Sequence, residues 1–381
     1  MTTHYSYRIA VNTRLLLAGK MEGIGWFEYQ ILKRWVASYP QHQFFFIFDR
    51  AYSSDFIFDS NVTPIILSPP ARHPILWYIW YEWQIPSLLS RLKADVFVSF
   101  DTYTSVRAKV KKMTAIHDVA FALFEDQMDS LSQRFLRFYT PKYIACSDAI
   151  ITVSEQTAED LINHYNCPKE KIVVAHNAPA EVYLPLTIEA IDEFKQRQTE
   201  GHDFFVYVGS IHPRKNVINV LRAFEKFKSS YKTTHKLILI GRMAWKYDPE
   251  REFLDQMQYR SDVILVPHSN PENIAKWVAS STALILVSHY EGFGVPLVEA
   301  MACHVPVITS NIPPMSSIAG KSGILVSPED ANELSEAMNT FASNLEYRDQ
   351  CIEVGREMVK NYNWNSAAQL IWDELEIVIK R

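Results

Sequence analysis

Two successive doubly wound α/β halves, each a parallel sheet covered by helices on both faces, are the fold this sequence predicts, and three observations predict it. Short apolar, β-rich runs recur along almost the whole chain, with helix-patterned stretches between them. Within the runs apolar residues stand at consecutive rather than alternating positions, as they do in strands buried on both faces. The alternation pauses over 179–203, where the composition turns mixed and polar, and then restarts. The expected architecture is therefore two Rossmann-like doubly wound parallel-sheet domains facing a central cleft, which is where such folds bind ligands.

The elements follow in order. Strands are expected at 7–11, 43–48, 63–67, 96–99, 113–117, 149–153 and 172–175, with a long helix over 23–39 opening from the glycine-containing loop 19–25. A helix at 189–197 fills the connection. The second half repeats the pattern with strands at 204–208, 236–240, 263–266, 283–287, 305–309 and 323–326. Amphipathic helices are expected at 332–344, 346–361 and 364–379. The boundaries are drawn as an N-terminal domain over 1–178, a C-terminal domain over 179–362 and a C-terminal helix over 363–381 that is expected to pack back on the N-terminal domain.

Composition narrows the function classes. With 381 residues, 48% hydrophobic and 21% charged, the chain can bury large cores and has no disordered tract. Its net charge of −5 argues against nucleic-acid binding. The charge is uneven, with 18 Lys+Arg against 17 Asp+Glu through Ala178 and 20 against 26 after it, so the first half is the better partner for an anionic surface. Cys146, Cys167, Cys303 and Cys351 show no CxxC spacing and read as reduced thiols of a cytoplasmic protein. The start, Met1-Thr2-Thr3-His4-Tyr5, carries no basic segment before an apolar one, so no signal peptide is expected. The aromatic run over 75–89 is broken by Glu82, Gln84 and Pro86, which is too short and polar to span a bilayer.

The chemistry concentrates in His289-Tyr290-Glu291-Gly292-Phe293-Gly294-Val295-Pro296-Leu297-Val298-Glu299-Ala300. An apolar strand precedes it and Pro296 suits a first helical turn, so the glycines occupy a strand-to-helix loop. Such a loop aims backbone N–H groups and a helix N-terminus at one spot, which favours an anion such as phosphate. Glu291 stands at the mouth of the loop and Glu299 about one turn inside the helix. Two carboxylates beside an anion site make sense if they bind hydroxyls, and a ligand with both phosphate and hydroxyls is a nucleotide sugar. A tight turn before a surface helix with ordinary glutamates fits the same spacing.

Four segments together resemble the retaining, nucleotide-sugar-dependent glycosyltransferases of family 4, which have the two-Rossmann-domain architecture called GT-B. They are Glu291 to Glu299 with its Gly-Phe-Gly centre, Tyr207-Val208-Gly209-Ser210-Ile211-His212-Pro213-Arg214-Lys215-Asn216, the stretch from Arg14 to Tyr29 with Gly23-Ile24-Gly25, and Ile116-His117-Asp118. They lie in family order along almost the whole chain. One departure is Ser210, where many relatives have Arg directly after the glycine; Arg214 is expected to supply the guanidinium instead.

The resemblance implies roles. Arg214 and Lys215 would hold the donor diphosphate, helped by the backbone around Gly209, by Gly292, Phe293, Gly294, Val295, Pro296 and Leu297, and by Gly25 on the other domain. Glu291 would contact the transferred sugar and Glu299 the ribose hydroxyls. His117, expected at the end of its strand, would face the sugar across the cleft, with Asp118 orienting the loop. No cofactor and no metal is expected, since the sequence lacks a DxD-like pair. The Arg14 to Tyr29 and Pro-Arg-Lys-Asn segments look most like mannosyltransferases, so GDP-mannose is the first donor expected, before UDP-glucose and dTDP-rhamnose. The acceptor would be a saccharide or lipid-linked saccharide of surface polysaccharide assembly. Other readings are an epimerase or phosphorylase of the same architecture, or a catalytically silent sugar-nucleotide-binding protein. Arg72, His73, Trp77, Tyr78, Trp80, Tyr81 and Trp83 with Arg107, Lys109, Lys111 and Lys112 form a candidate for weak peripheral contact with the inner face of an anionic membrane. The alternative is an aromatic helix face packed on the core beside a solvated charge cluster.

Overall fold

The structure, a computed structural model, describes residues 6–124, 128–241, 249–267 and 269–381. The first five residues, on which the signal-peptide expectation rests, lie outside these. Contacts within the chain divide it into two compact units, one of Met1–Asn177 with Trp364–Arg381 and one of Ala178–Asn363.

The first unit carries a seven-stranded parallel sheet: β1 Arg8–Asn12, β2 Gln43–Phe48, β3 Val62–Ile66, β4 Val96–Ser99, β5 Lys111–Ala115, β6 Ala149–Thr152 and β7 Ile172–Val174, in the order β3-β2-β1-β4-β5-β6-β7. The second carries six: β8 Phe204–Val208, β9 Lys236–Ile240, β10 Val263–Val266, β11 Ala283–Leu286, β12 Val307–Ser310 and β13 Gly323–Val326, in the order β10-β9-β8-β11-β12-β13. All pairs are parallel. Both sheets are Rossmann-like, as expected, and each reverses its winding once, between β1 and β4 and between β8 and β11. The central strands are apolar on both faces because helices cover both; β4 and β11 are buried throughout.

Two strands shift by two residues from expectation, the other differences being a single residue. β5 ends at Ala115, so His117 stands two residues beyond the strand; the Ile116 amide still donates to the Ile151 carbonyl at 2.8 Å before the chain turns away. β12 begins at Val307 because the Val305 amide closes the preceding helix on the Ala300 carbonyl and Pro306 has no N–H for the ladder.

The aromatic run is a helix, Pro74–Ile79, one π-helical turn, Trp80–Gln84, and a second helix, Ile85–Leu92. Trp77, Trp80 and Tyr81 are buried, with the Trp77 indole N–H donating to the Ala71 carbonyl at 2.6 Å and that of Trp80 to Leu67 at 2.8 Å. Of the cluster grouped with them, Lys112 is buried on the Ala108 carbonyl and Lys111 pairs with Asp148. Trp77, Trp80, Tyr81 and Lys112 are therefore taken up by core packing and internal hydrogen bonds, while Lys111 stays partly exposed in its ion pair. The C-terminal helix Trp364–Lys380 joins the first unit, where Trp372 stacks on Tyr39 with 3.5 Å between ring centroids and the Trp35 indole donates to the Ala368 carbonyl.

Candidate active site

In the second unit the sheet reverses between β8 and β11, so the loops leaving those two strands run side by side, the position at which doubly wound folds hold ligands. The β8 loop turns through Gly209 and the short 3-10 turn Pro213–Lys215 to Asn216, whose left-handed backbone (φ 58°) starts the helix Val217–Tyr231. Its side-chain amide donates to the carbonyls of Val287 (3.1 Å) and Pro328 (2.7 Å), tying the turn to the end of β11. The His289 amide donates to the Arg214 carbonyl at 2.9 Å, so the two loops are joined main chain to main chain.

This junction brings Arg214, Lys215 and Glu291 together. The Lys215 ammonium donates to both carboxylate oxygens of Glu291, at 2.6 and 2.7 Å. Arg214 reaches the same carboxylate at 3.4 Å, and its guanidinium also donates to the Tyr290 carbonyl. Ser288 donates its hydroxyl to Glu291 at 2.6 Å. Burial alone would push the Glu291 carboxyl up, but the charges of Lys215 and Arg214 and the hydrogen bonds of Lys215 and Ser288 outweigh it, holding the group below its ordinary value. The sequence assigned the basic pair and Glu291 to different parts of a donor. The structure joins them in one nearly closed charge cluster, 6% exposed at Glu291. Ser288, which braces the carboxylate, escaped the sequence reading although it stands three residues away on the same loop.

The helix Val295–Ala302 follows, capped by Gly294 at φ 106°, a backbone conformation that glycine adopts without strain. Of the amides expected to face an anion, those of Gly294 and Val295 qualify by position. Pro296 has no N–H, the Leu297 N–H is taken by the Gly294 carbonyl at 2.9 Å, and the Leu297 side chain is fully buried. Phe293 is buried edge-on to Tyr362, with 5.6 Å between ring centroids. Glu299 lies one turn inside beside the Tyr183 hydroxyl; burial pushes its carboxyl up to about 8, and Tyr183 opposes the shift. At neutral pH this acid is protonated in the unliganded chain, unlike Glu291. At the strand ends, Gly241 was missed: a Cβ there would lie 1.8 Å from the Gly209 carbonyl oxygen, so the β8 and β9 loops can approach only because residue 241 is glycine.

In the first unit His117 packs edge-on against Phe27 at 5.1 Å, and its Nε2 lies 2.8 Å from the Phe100 carbonyl. A carbonyl only accepts, so Nε2 carries the proton. Burial lowers the pKa of the ring, against the pull of Phe100, Asp118 and Asp101, so it is neutral and Nδ1 offers a lone pair. Asp118 accepts from the Ala120 amide at 3.0 Å, which shapes the loop. Gly25 is in the first turn of the helix Gly23–Ser38; a Cβ there would meet the Leu15 carbonyl at 2.7 Å. The reversal point of this sheet holds a network that sequence reasoning missed: Arg14 pairs with Asp101 at 2.5 Å, and Asn12 donates to Tyr81, Ser99 and Asp101. Glu28 is buried near this pair, and burial followed by the Asp101 charge raises its pKa well above the ordinary range. Their only sequence signal was polar residues at the ends of apolar strands.

Comparison with known proteins fits both units. Residues 23–178 match the family model described as Glycosyltransferase Family 4, and residues 189–358 match that described as Glycosyl transferases group 1. The chain is similar to the O-antigen chain mannosyltransferase B of Escherichia coli, 23% identical over 257 residues, 67% of this chain and 68% of the relative. It is equally similar, 23% over 299 residues and 78% of each chain, to the O-antigen chain mannosyltransferase RfbU of Salmonella typhimurium. Its fold is that of Anabaena HepE, solved in complex with UDP-glucose, with a TM-score of 0.75 at 15% identity over 97% of this chain and 99% of that one. With two family models matched in succession over more than four-fifths of its length, the chain belongs to the family 4 glycosyltransferases.

Proposed function

We propose that this chain is a retaining, metal-independent glycosyltransferase that moves a sugar from a nucleoside-diphosphate sugar to a saccharide or lipid-linked saccharide acceptor in surface polysaccharide assembly, on the cytoplasmic side of the membrane. GDP-mannose is the first donor, in line with the O-antigen mannosyltransferases among its relatives. The observation that carries the reading is the cluster of Lys215, Arg214 and Glu291 at the β8/β11 reversal, with Glu299 one helical turn away.

As the bond from the anomeric carbon to the diphosphate breaks, negative charge grows on the leaving oxygen and the sugar becomes oxocarbenium-like. Lys215 and Arg214 meet the diphosphate charge, Lys as a compact ammonium and Arg through its planar fork. The Gly294 and Val295 amides add the partial positive charge of a helix start. Glu291 accepts from sugar hydroxyls and Glu299 from the ribose diol. Retention follows from front-face attack: the acceptor oxygen bonds to the anomeric carbon on the face the phosphate leaves, and its proton passes to the departing phosphate oxygen. His117, with Nδ1 as acceptor, receives a hydrogen bond from a sugar hydroxyl.

A thermal-shift screen of GDP, UDP, dTDP and their sugars tests the reading. Stabilisation by a nucleoside-diphosphate sugar, strongest for GDP-mannose, is expected. No shift with any of them overturns it. Product analysis with a labelled donor then separates transfer from epimerisation and phosphorolysis.

A further inference from the structure

With Trp77, Trp80 and Tyr81 turned into the core, the same segment presents its other face outward. Ile75 is 63% exposed and Trp83 56%, with Tyr78 and Ile79 also open. These positions, spaced by three, four and eight residues, form one stripe along the helix and its π turn. The helix Ser130–Cys146 packs beside this stripe and adds Phe138, 60% exposed, through Tyr139, whose ring centroid lies 6.5 Å from that of Tyr78 and 5.2 Å from that of Phe138.

Cations sit directly on these rings. The Arg107 guanidinium lies 4.1 Å over Trp83 and the Lys142 ammonium 3.4 Å over Phe138. The carboxylate within the patch, Glu82, is buried and occupied by the Val106 and Arg107 amides at 3.0 Å each, so its charge is spent inward. The stripe's indole-bearing neighbours are anchored by buried hydrogen bonds, so the exposed rings stand on a rigid base. An apolar stripe of this kind on a folded unit marks a partner surface. Rings capped by cations, with the nearby acid withdrawn, match the interface of an anionic bilayer, where aromatic side chains lie at headgroup depth and Lys and Arg meet lipid phosphates. Among the described residues no helix is long and apolar enough to cross a membrane, so contact of this kind is peripheral.

We propose that the face formed by Ile75, Tyr78, Trp83, Phe138, Arg107 and Lys142 docks this protein on an anionic lipid surface. This goes beyond the donor reading and does not depend on it.

Co-sedimentation with phosphatidylglycerol-containing and pure phosphatidylcholine vesicles tests it. The wild type is expected to bind the anionic vesicles at low ionic strength, to release as salt rises, and to bind phosphatidylcholine weakly. The double variant Trp83→Ser/Phe138→Ser should partition at least about tenfold less, and Arg107→Gln/Lys142→Gln should lose roughly fivefold per charge removed. Thermal stabilisation by nucleoside diphosphates should be the same in all variants, which checks folding and keeps failure of the donor reading separate. Failure of the wild type to bind anionic vesicles overturns the proposal, as does wild-type partitioning by Trp83→Ser/Phe138→Ser. A dimer in light scattering that this double variant abolishes, without vesicle binding, overturns it in favour of a second copy of the chain.

Discussion

Glu291→Gln should tighten binding of a nucleoside diphosphate while slowing transfer, a pair of effects that simple damage to the site does not produce. The carboxylate now neutralises Lys215 and Arg214, the cations proposed to hold the diphosphate. With Lys215 Nζ 2.6 Å from Glu291 and a phosphate oxygen about 2.8 Å beyond it, the two anions stand about 5 Å apart and repel by about 3 kcal/mol at an effective dielectric near 20. If about half of that survives relaxation, GDP or UDP binds roughly tenfold more tightly to the glutamine variant. Glutamine keeps an acceptor oxygen for Lys215, so the cluster loses charge without leaving the ammonium bare. Transfer should nonetheless fall by about two orders of magnitude, because the carboxylate's hold on the sugar as it becomes cationic is gone. Isothermal titration with the diphosphates gives the first quantity and initial rates with the nucleotide sugar the second. Diphosphate affinity that falls in parallel with turnover would refute the reasoning, provided the melting temperature is unchanged.

Lys215→Ala should lower turnover by about two orders of magnitude, as loss of one preorganised contact does, and wild-type rates would remove Lys215 from the site. Nucleotide affinity should strengthen as pH rises towards about 8, by up to about tenfold per unit. The reason is that Glu299 holds a proton in the free chain that the ribose diol must displace; Glu299→Gln flattens this dependence in titrations across the range. Asp101→Ala should cost about 3–5 kcal/mol by leaving the buried Arg14 guanidinium unpaired, seen as a melting temperature lower by roughly 10 °C. His235, which burial lowers to about 4, is below its unfolded value. The unfolded chain therefore takes up protons first, and stability is lost as pH falls from 6.5 towards 4. The unscreened loss is about 3 kcal/mol and solvent access halves it to roughly 1–2, so melting curves of His235→Gln should show a shallower acid slope.

Strand positions were legible because apolar runs buried on both faces leave few alternatives. β2, β4, β8, β9, β10 and β13 have the residues the pattern predicts. Where a main-chain bond decides a boundary, as the Val305 amide does at β12, composition carries no signal. The candidate site divides in the same way. Glu291, Arg214 and Lys215 were singled out as candidates by the sequence, but their mutual pairing was not legible, because 76 residues separate Lys215 from Glu291 and only the β8/β11 adjacency brings them together. The aromatic run was divided correctly only in three dimensions. Its pattern holds a buried and an exposed face on one helix, and the π turn at Trp80–Gln84 shifts the phase between them.

The two reversal points show why the nucleotide is proposed for the second unit and not for the first. Each joins a base that follows one central strand to an acid that follows the other: Arg14 to Asp101 beyond β1 and β4, and Lys215 to Glu291 beyond β8 and β11. In the first unit the space around the pair is filled. Tyr103 lies 4.6 Å under the Arg14 guanidinium, Tyr81 lies 5.9 Å from it, and the Ala71 carbonyl accepts from it. Those aromatic rings leave the pair sealed as part of the core. In the second unit the equivalent space is lined by a glycine loop and the start of a helix, small groups whose amides favour an anion. On the proposed reading a diphosphate reaches Lys215 and Arg214 alongside Glu291, whereas nothing of that size could reach the Arg14–Asp101 pair without unpacking Tyr81 and Tyr103. At the neighbouring strand end of the first unit, His117 follows β5 with its unprotonated nitrogen available, where the proposed function uses it. A Tyr81→Ala/Tyr103→Ala variant that gained nucleoside-diphosphate binding in the first unit would show that the fill, rather than the strand order, makes the difference.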